Sequence, residues 1–236
     1  MKKRVLITLL LLISFIRANS QEFNFGFQTG IGTYSMKGLK NINTSVPQGL
    51  PFDTKLVADF PAYFYYRPSM ILRFKGFGLG LVYSFQSTGS RISAKDYSGE
   101  YRFDMKVRSS APGIYCEVKL TAENNFNFYL YSIIGPSFSN LETKEYFNVA
   151  DTMLINANYK FKAQNYYIEP GINILFPVKA FSFGLNFGYL VQFGDQAFYT
   201  GNDKKNILFD AKNQVSVKPD WNGIRGGLSV FYNLSN

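Results

Sequence analysis

Three observations predict the fold class. Bulky apolar and small or polar side chains alternate in eight segments; four long polar connections fall on one side against short turns on the other; and the polar faces carry Gly, Asn, Ser, Gln and Tyr rather than Lys and Glu. Together they predict an all-β chain, an eight-stranded antiparallel up-and-down transmembrane β-barrel with four long extracellular loops and short periplasmic turns. Successive side chains of a strand point to opposite faces, so each segment has one greasy and one polar side.

Residues 1–20 read as a signal peptide. Lys2, Lys3 and Arg4 precede an apolar run from Val5 to Ile16, and Ala18-Asn19-Ser20 puts small residues at both positions that a signal peptidase tests before the expected cut. The run is too short to span a membrane, and no later segment reaches the ~20 apolar residues that a spanning helix needs. Cleavage after Ser20 leaves residues 21–236 as one barrel domain beginning at Gln21, with no cysteine there to carry a lipid. It removes Lys2, Lys3, Arg4 and Arg17 and no acid, so the formal charge falls from +9 to +5. The remaining charges are mixed in sign along the chain, with no basic run that would track a phosphate backbone, so nucleic acid is not expected as a partner. The single cysteine, Cys116, cannot make an internal disulfide.

The strands follow in order. From Phe23 to Thr33 the apolar side is Phe23, Phe25, Phe27 and Ile31. From Leu56 to Phe74 every even position is apolar, opposite Asp59, Tyr63, Tyr65, Arg67, Ser69 and Arg73. Residues 76–85, GFGLGLVYSF, set Phe77, Leu79, Leu81, Tyr83 and Phe85 against Gly76, Gly78, Gly80, Val82 and Ser84. The next segment runs through Tyr101, Phe103, Met105 and Val107, then changes parity to Ile114, Cys116, Val118 and Leu120; the change across Ser109 to Gly113 predicts a β-bulge. Four further segments begin at Phe126, Asn165, Phe183 and Gly223.

Short turns are expected near Lys75-Gly76, Glu123 to Asn125 and Lys179-Ala180, and long loops at 35–54, 87–100, 140–162 and 195–220. A soluble lipocalin-like barrel would use the same strands with the apolar face inward, but its water-facing side would be rich in Lys and Glu. The apolar faces here also end in rings, Phe23, Phe74, Phe77, Phe126, Phe176 and Tyr232 toward the short turns and Tyr83, Phe85, Phe103, Phe138, Tyr166 and Phe193 toward the loops, which resemble aromatic girdles. The apolar side is therefore assigned to outer-membrane lipid and the bare side to a crowded interior.

The chain resembles the small outer-membrane β-barrel proteins common in Bacteroidetes, which include the PorT-like proteins. The resemblance rests on Ser20-Gln21, on APGIYCEVKL (111–120) followed by FYLYSIIGPSFS (128–139), and on GGLSVFYNL near the end. It implies an outer-membrane location and a barrel fold, and it assigns no task.

No histidine is present, which removes His-based dyads and triads and the commonest metal ligand; no catalytic residue, metal or cofactor is assigned, and the chain is read as a non-enzyme. GFGLG has strand alternation and no following helix, so it is not a phosphate loop. Cys116 is expected to face lipid, and Trp221 to anchor at the interface. Arg67, Glu169 and Arg225 lie on polar faces at similar heights, as a structural salt-bridge cluster or a ligand site, with Tyr63, Tyr65, Tyr129, Tyr131 and Tyr167 filling the lumen. The loops hold apolar groups, among them Leu39, Tyr146, Leu154, Phe198, Tyr199, Ile207, Leu208 and Phe209. Those from Phe198 to Phe209 are expected to form a partner-binding surface or to cap the mouth. The expected function is that of a monomeric barrel with a packed lumen that meets an envelope protein through its loops. A lumen that binds or passes a small molecule is the alternative, and a soluble ligand carrier the second.

Overall fold

The computed structural model describes residues 22–234 except 51, 98, 123–125, 151, 202 and 211. The expected signal peptide and the turn at Glu123 to Asn125 lie outside the described residues.

Eight strands close a ring: β1 (Glu22–Gly32), β3 (Tyr63–Phe74), β4 (Phe77–Lys95), β5 (Gly99–Ala122), β6 (Asn127–Val149), β7 (Thr152–Val178), β8 (Phe181–Phe193) and β11 (Gly223–Asn233). Every neighbouring pair is antiparallel, and β1 closes the ring against β11. Closure gives every wall strand two partners, which is what a lipid-embedded backbone requires. Three elements lie in connections: helix α1 (Lys37–Ser45), the short strand β2 (Lys55–Asp59), and a small hairpin of β9 (Phe209–Asp210) with β10 (Val215–Ser216).

Strand length departs from the sequence reading. β1, β3, β8 and β11 have 11 to 13 residues, close to the ~9–11 that cross a bilayer. β4 to β7 have 19, 24, 23 and 27 residues. At ~3.3 Å per residue, β7 extends ~45 Å further along its path than β8. The expected loops 87–100 and 140–162 are therefore mostly paired strand, and β2 adds itself to the upper edge of β4.

No bulge separates the two halves of β5. Its register against β4 runs unbroken from Phe77↔Val118 to Lys95↔Glu100; the only shift is against β6, between Lys119 and Thr121. What changes is the solvent. Ile114 and Val118 are exposed below and Arg102, Lys106 and Arg108 above, while Met105, Val107, Ala111 and Tyr115 stay buried on one continuous inner face. The outer side of the strand passes from lipid-facing apolar groups to water-facing charges, and above that level the inner side becomes the apolar one. Phe103 belongs to this inner face, not to an aromatic girdle.

The predicted row from Leu56 to Phe74 is also interrupted. Phe60 adopts a left-handed conformation (φ 47°), is buried and donates its N–H to Gly89 O at 2.9 Å; with Pro61 behind it, it separates β2 from β3.

Below the boundary the outer wall is apolar and exposed: Phe25, Phe27, Leu79, Leu81, Phe183 and Leu228 among others. The inner wall holds Asn24, Gln28, Ser84, Asn165, Asn173 and Asn186, all buried. Of the glycines of GFGLGLVYSF, Gly76 turns the chain with a positive φ of 88° and Gly78 makes room for a neighbour's side chain. A Cβ on Gly78 would stand 2.7 Å from Glu117 Oε1.

Candidate functional site

The middle of the lumen is organised around one carboxylate. Arg67 on β3 donates through Nε to Ser84 Oγ at 2.9 Å, through Nη1 to Gln28 Oε1 at 3.1 Å, and through Nη2 to Glu169 Oε2 at 2.5 Å. Glu169 on β7 also accepts from Tyr131 Oη at 3.2 Å. Arg225 on β11 approaches the same Glu169 oxygen through Nε at 3.4 Å, without hydrogen-bond geometry. Its guanidinium carbon lies 5.3 Å from the Tyr65 ring centre and 5.8 Å from that of Tyr34. Tyr65 Oη donates to Asn186 Oδ1 at 2.5 Å. Arg67, Glu169 and Arg225, on three different strands and expected at similar heights, thus meet in one buried cluster.

Toward the periplasmic turns stands a second cluster that the sequence reading did not single out. Arg73 donates to Glu117 at 2.5 Å, Tyr115 Oη donates to the other carboxylate oxygen at 2.8 Å, and Asn173 Nδ2 donates to Tyr115 Oη at 2.9 Å. The rings of Phe231 and Tyr129 lie 4.7 and 4.9 Å from the Arg73 guanidinium carbon. Parity was the available signal, because placing Cys116 and Val118 outward places Glu117 inward.

Of the predicted lumen tyrosines, Tyr65, Tyr129, Tyr131 and Tyr167 are buried. Tyr63 is not among them. It has the inward parity, but it begins β3 at the rim, is 52% exposed and stacks edge-on against Phe64.

The mouth is closed by connections. Trp221 is fully buried, donates Nε1–H to Ser139 Oγ at 2.9 Å and meets Tyr34 edge to face at 5.0 Å. It is part of a plug, not an interfacial anchor. Tyr34 in turn donates to Tyr63 O at 3.1 Å, and burial pushes its hydroxyl up to about 12 against the pull of Arg225. Phe198 is likewise wholly buried, tied by backbone hydrogen bonds to Leu208 and Val217. Of the expected loop surface, Phe198 is therefore interior and Tyr199 and Leu208 half-buried, whereas Ile207 and Phe209 are exposed. Leu39 on α1 completes the seal.

Outside the lipid belt, the charged face of β4 to β6 carries the bidentate pair Arg91 and Asp104 (2.6 and 3.1 Å), with Lys144 and Glu142 at 3.2 Å. These groups, Lys106 and the edge of β2 at Val57 line a water-exposed cleft of about 450 Å³. Among the described residues no group of His, Cys, Asp and Glu is arranged to hold a metal ion.

No protein-family profile matches the chain, and no curated protein matches it. Solved structures do. A major outer membrane protein from Thermus thermophilus aligns with a TM-score of 0.54 at 10% identity, over 92% of this chain and 100% of its own. The outer membrane protease OmpT from Escherichia coli aligns at 0.42, 11%, 93% and 100%, and Ail, the attachment invasion locus protein of Yersinia pestis, at 0.39, 10%, 91% and 97%. The Thermus likeness is one of fold: this chain has the architecture of an outer-membrane β-barrel.

Proposed function

We propose that the protein is a monomeric, non-enzymatic outer-membrane barrel, of the small type found in Bacteroidetes, that meets an envelope protein through the sheet it raises above the lipid. The observation that carries this reading is the extension of β4 to β7. These strands run well past the bilayer, keep an apolar inner side packed on the mouth, and turn a charged, cleft-bearing side to water. A barrel needs no such extension to be stable, and a loop surface positioned by rigid strands is a common place for recognition. The exposed belt of Phe, Leu and Ile supports an outer-membrane location over a soluble carrier.

Recognition is thereby placed not on the segment 197–211, whose Phe198 is interior, but on the sheet face bearing Arg102, Lys106 and Lys144. The test is crosslinking capture from native membranes. Replacing these three residues by Glu is expected to leave a compact, heat-shifted barrel in the outer-membrane fraction and to abolish capture of the partner. Undiminished capture would sink the sheet-face reading, and recovery of the wild type in the soluble periplasm would sink the membrane one.

A further inference from the structure

Among the described residues, the five charged side chains buried within the barrel wall do not balance. Arg73 and Glu117 form one pair, and Arg67 and Glu169 form another; the remaining one is Arg225, 1% exposed. Arg67 satisfies all three of its nitrogens on Ser84, Gln28 and Glu169. Arg225 satisfies none: Nε, Nη1 and Nη2 lack a hydrogen-bond partner, and so does the nearby donor Nδ2 of Asn186, which is equally buried. The two are linked through Tyr65, whose ring faces the guanidinium and whose hydroxyl is held by Asn186 Oδ1.

Arg225 shares with Arg67 the single carboxylate of Glu169, at 3.4 Å and without hydrogen-bond geometry, so the buried group of two guanidinium ions and one carboxylate keeps one positive charge in excess and three donors without acceptors. Water could supply the acceptors and not the counter-charge. The cross-strand partners of Arg225 are Gly32 on β1 and Gly188 on β8; the room over Gly32 is taken by the Tyr34 ring and that over Gly188 by Tyr131 and Glu169, so the side left to the guanidinium is its Nη edge toward Asn186. Trp221 and Tyr34 close the route upward. We propose that the lumen holds one small monovalent anion of the halide class, bound by the Nη edge of Arg225 with Asn186 Nδ2 as a second donor. Such an ion completes the charge balance of the barrel and becomes part of its folded core.

The probe is chloride. Protein unfolded in urea is refolded in detergent in chloride or in gluconate at one ionic strength, and thermal unfolding is followed by loss of the compact band on gels. The wild type is expected to unfold at a midpoint that rises with the logarithm of chloride concentration. Asn186→Asp supplies the missing negative charge in nearly the same shape; it is expected to fold in gluconate and to unfold at one midpoint in both salts. Arg225→Gln is expected to lose the dependence too. A bromide-grown crystal should show one anomalous peak at Arg225. The proposal is overturned if wild-type midpoints agree in the two salts, if the chloride dependence persists at full size in Asn186→Asp, or if bromine is absent from the Arg225 edge.

Discussion

Arg73 on β3 and Glu117 on β5 meet at 2.5 Å although β4 lies between their strands, and they meet over Gly78. The glycine is what permits the contact, because a Cβ there would stand 2.7 Å from both Glu117 Cγ and Oε1. The bare position at Gly78 thus lets two charges pair across a strand.

Glu117→Gln leaves the Arg73 guanidinium buried without a counter-charge, a loss of about 3–5 kcal/mol by the usual cost of breaking a buried pair. The double replacement Arg73→Met, Glu117→Leu removes both charges and is expected to recover most of that. Urea unfolding in detergent measures each. Equal destabilisation by the single and double variants would show that shape, not charge, sets the cost.

Gly78→Val puts carbon where Glu117 now lies and is expected to destabilise the barrel by several kcal/mol, near the cost of Glu117→Gln. Combined with Glu117→Ala, which vacates the space, the valine is expected to cost less than the sum of the two changes. Additivity in this cycle would remove the packing account of the glycine.

Alkaline pH is expected to loosen the plug. Tyr34 has an ordinary phenol value of 10.0 and a folded value of about 12, because burial disfavours the phenolate. A group raised in this way contributes stability that is complete below pH 10 and is lost as pH rises through about 12. Trp221 is the only tryptophan and touches Tyr34, so its emission reports the change. Wild-type fluorescence should hold steady to about pH 10 and alter between about 10 and 12, and Tyr34→Phe should remove that step. A profile unchanged by Tyr34→Phe would assign the transition to other groups.

What the sequence made legible was periodicity, and what it concealed was solvent. Alternation at Phe183, Leu185, Phe187 and Tyr189 locates β8 because one side of that strand meets a single environment throughout. β5 runs through two environments. Its apolar parity therefore inverts between Val107 and Ile114 with no change in register, and that inversion imitates a bulge. The lumen cluster was readable because charged residues are rare on those faces. Trp221 and Phe198 were not, since an aromatic residue in a polar segment reads the same whether it plugs a mouth or faces a partner. Tyr63 shows the limit of parity: the right side of a strand is interior only where the barrel wall continues past it.

The inversion also marks the membrane surface. On β6, Leu130, Ile134 and Phe138 face out and are exposed, and above them Asn140 and Lys144 take the same side while Leu141 is buried. Ile134→Arg, midway along that outward row, is expected to cost about 2–4 kcal/mol, as a charge deep in the hydrocarbon does, whereas Asn140→Arg is expected to be nearly neutral. Unfolding in lipid vesicles separates the two. Equal costs would move the boundary above Asn140.

The last expectation concerns the seal. An eight-stranded interior is only wide enough for its own side chains, and here Trp221, Phe198 and Leu39 close its outer end as well. Purified protein in a planar bilayer is therefore expected to give little steady conductance. Replacing residues 197–211 by a short Gly-Ser linker removes Phe198, for which the loss of a buried phenylalanine costs about 3–5 kcal/mol. The eight wall strands keep all their pairings in that variant, so the heat-shifted barrel should persist at lower stability, with Trp221 emission shifted to the red as water reaches the mouth. Conductance should stay low even then, because Arg67, Glu169 and Tyr131 still fill the section beneath. Large, reproducible single-channel steps in the wild type would overturn the sealed lumen. Steps seen only in the linker variant would locate the sole barrier in the plug.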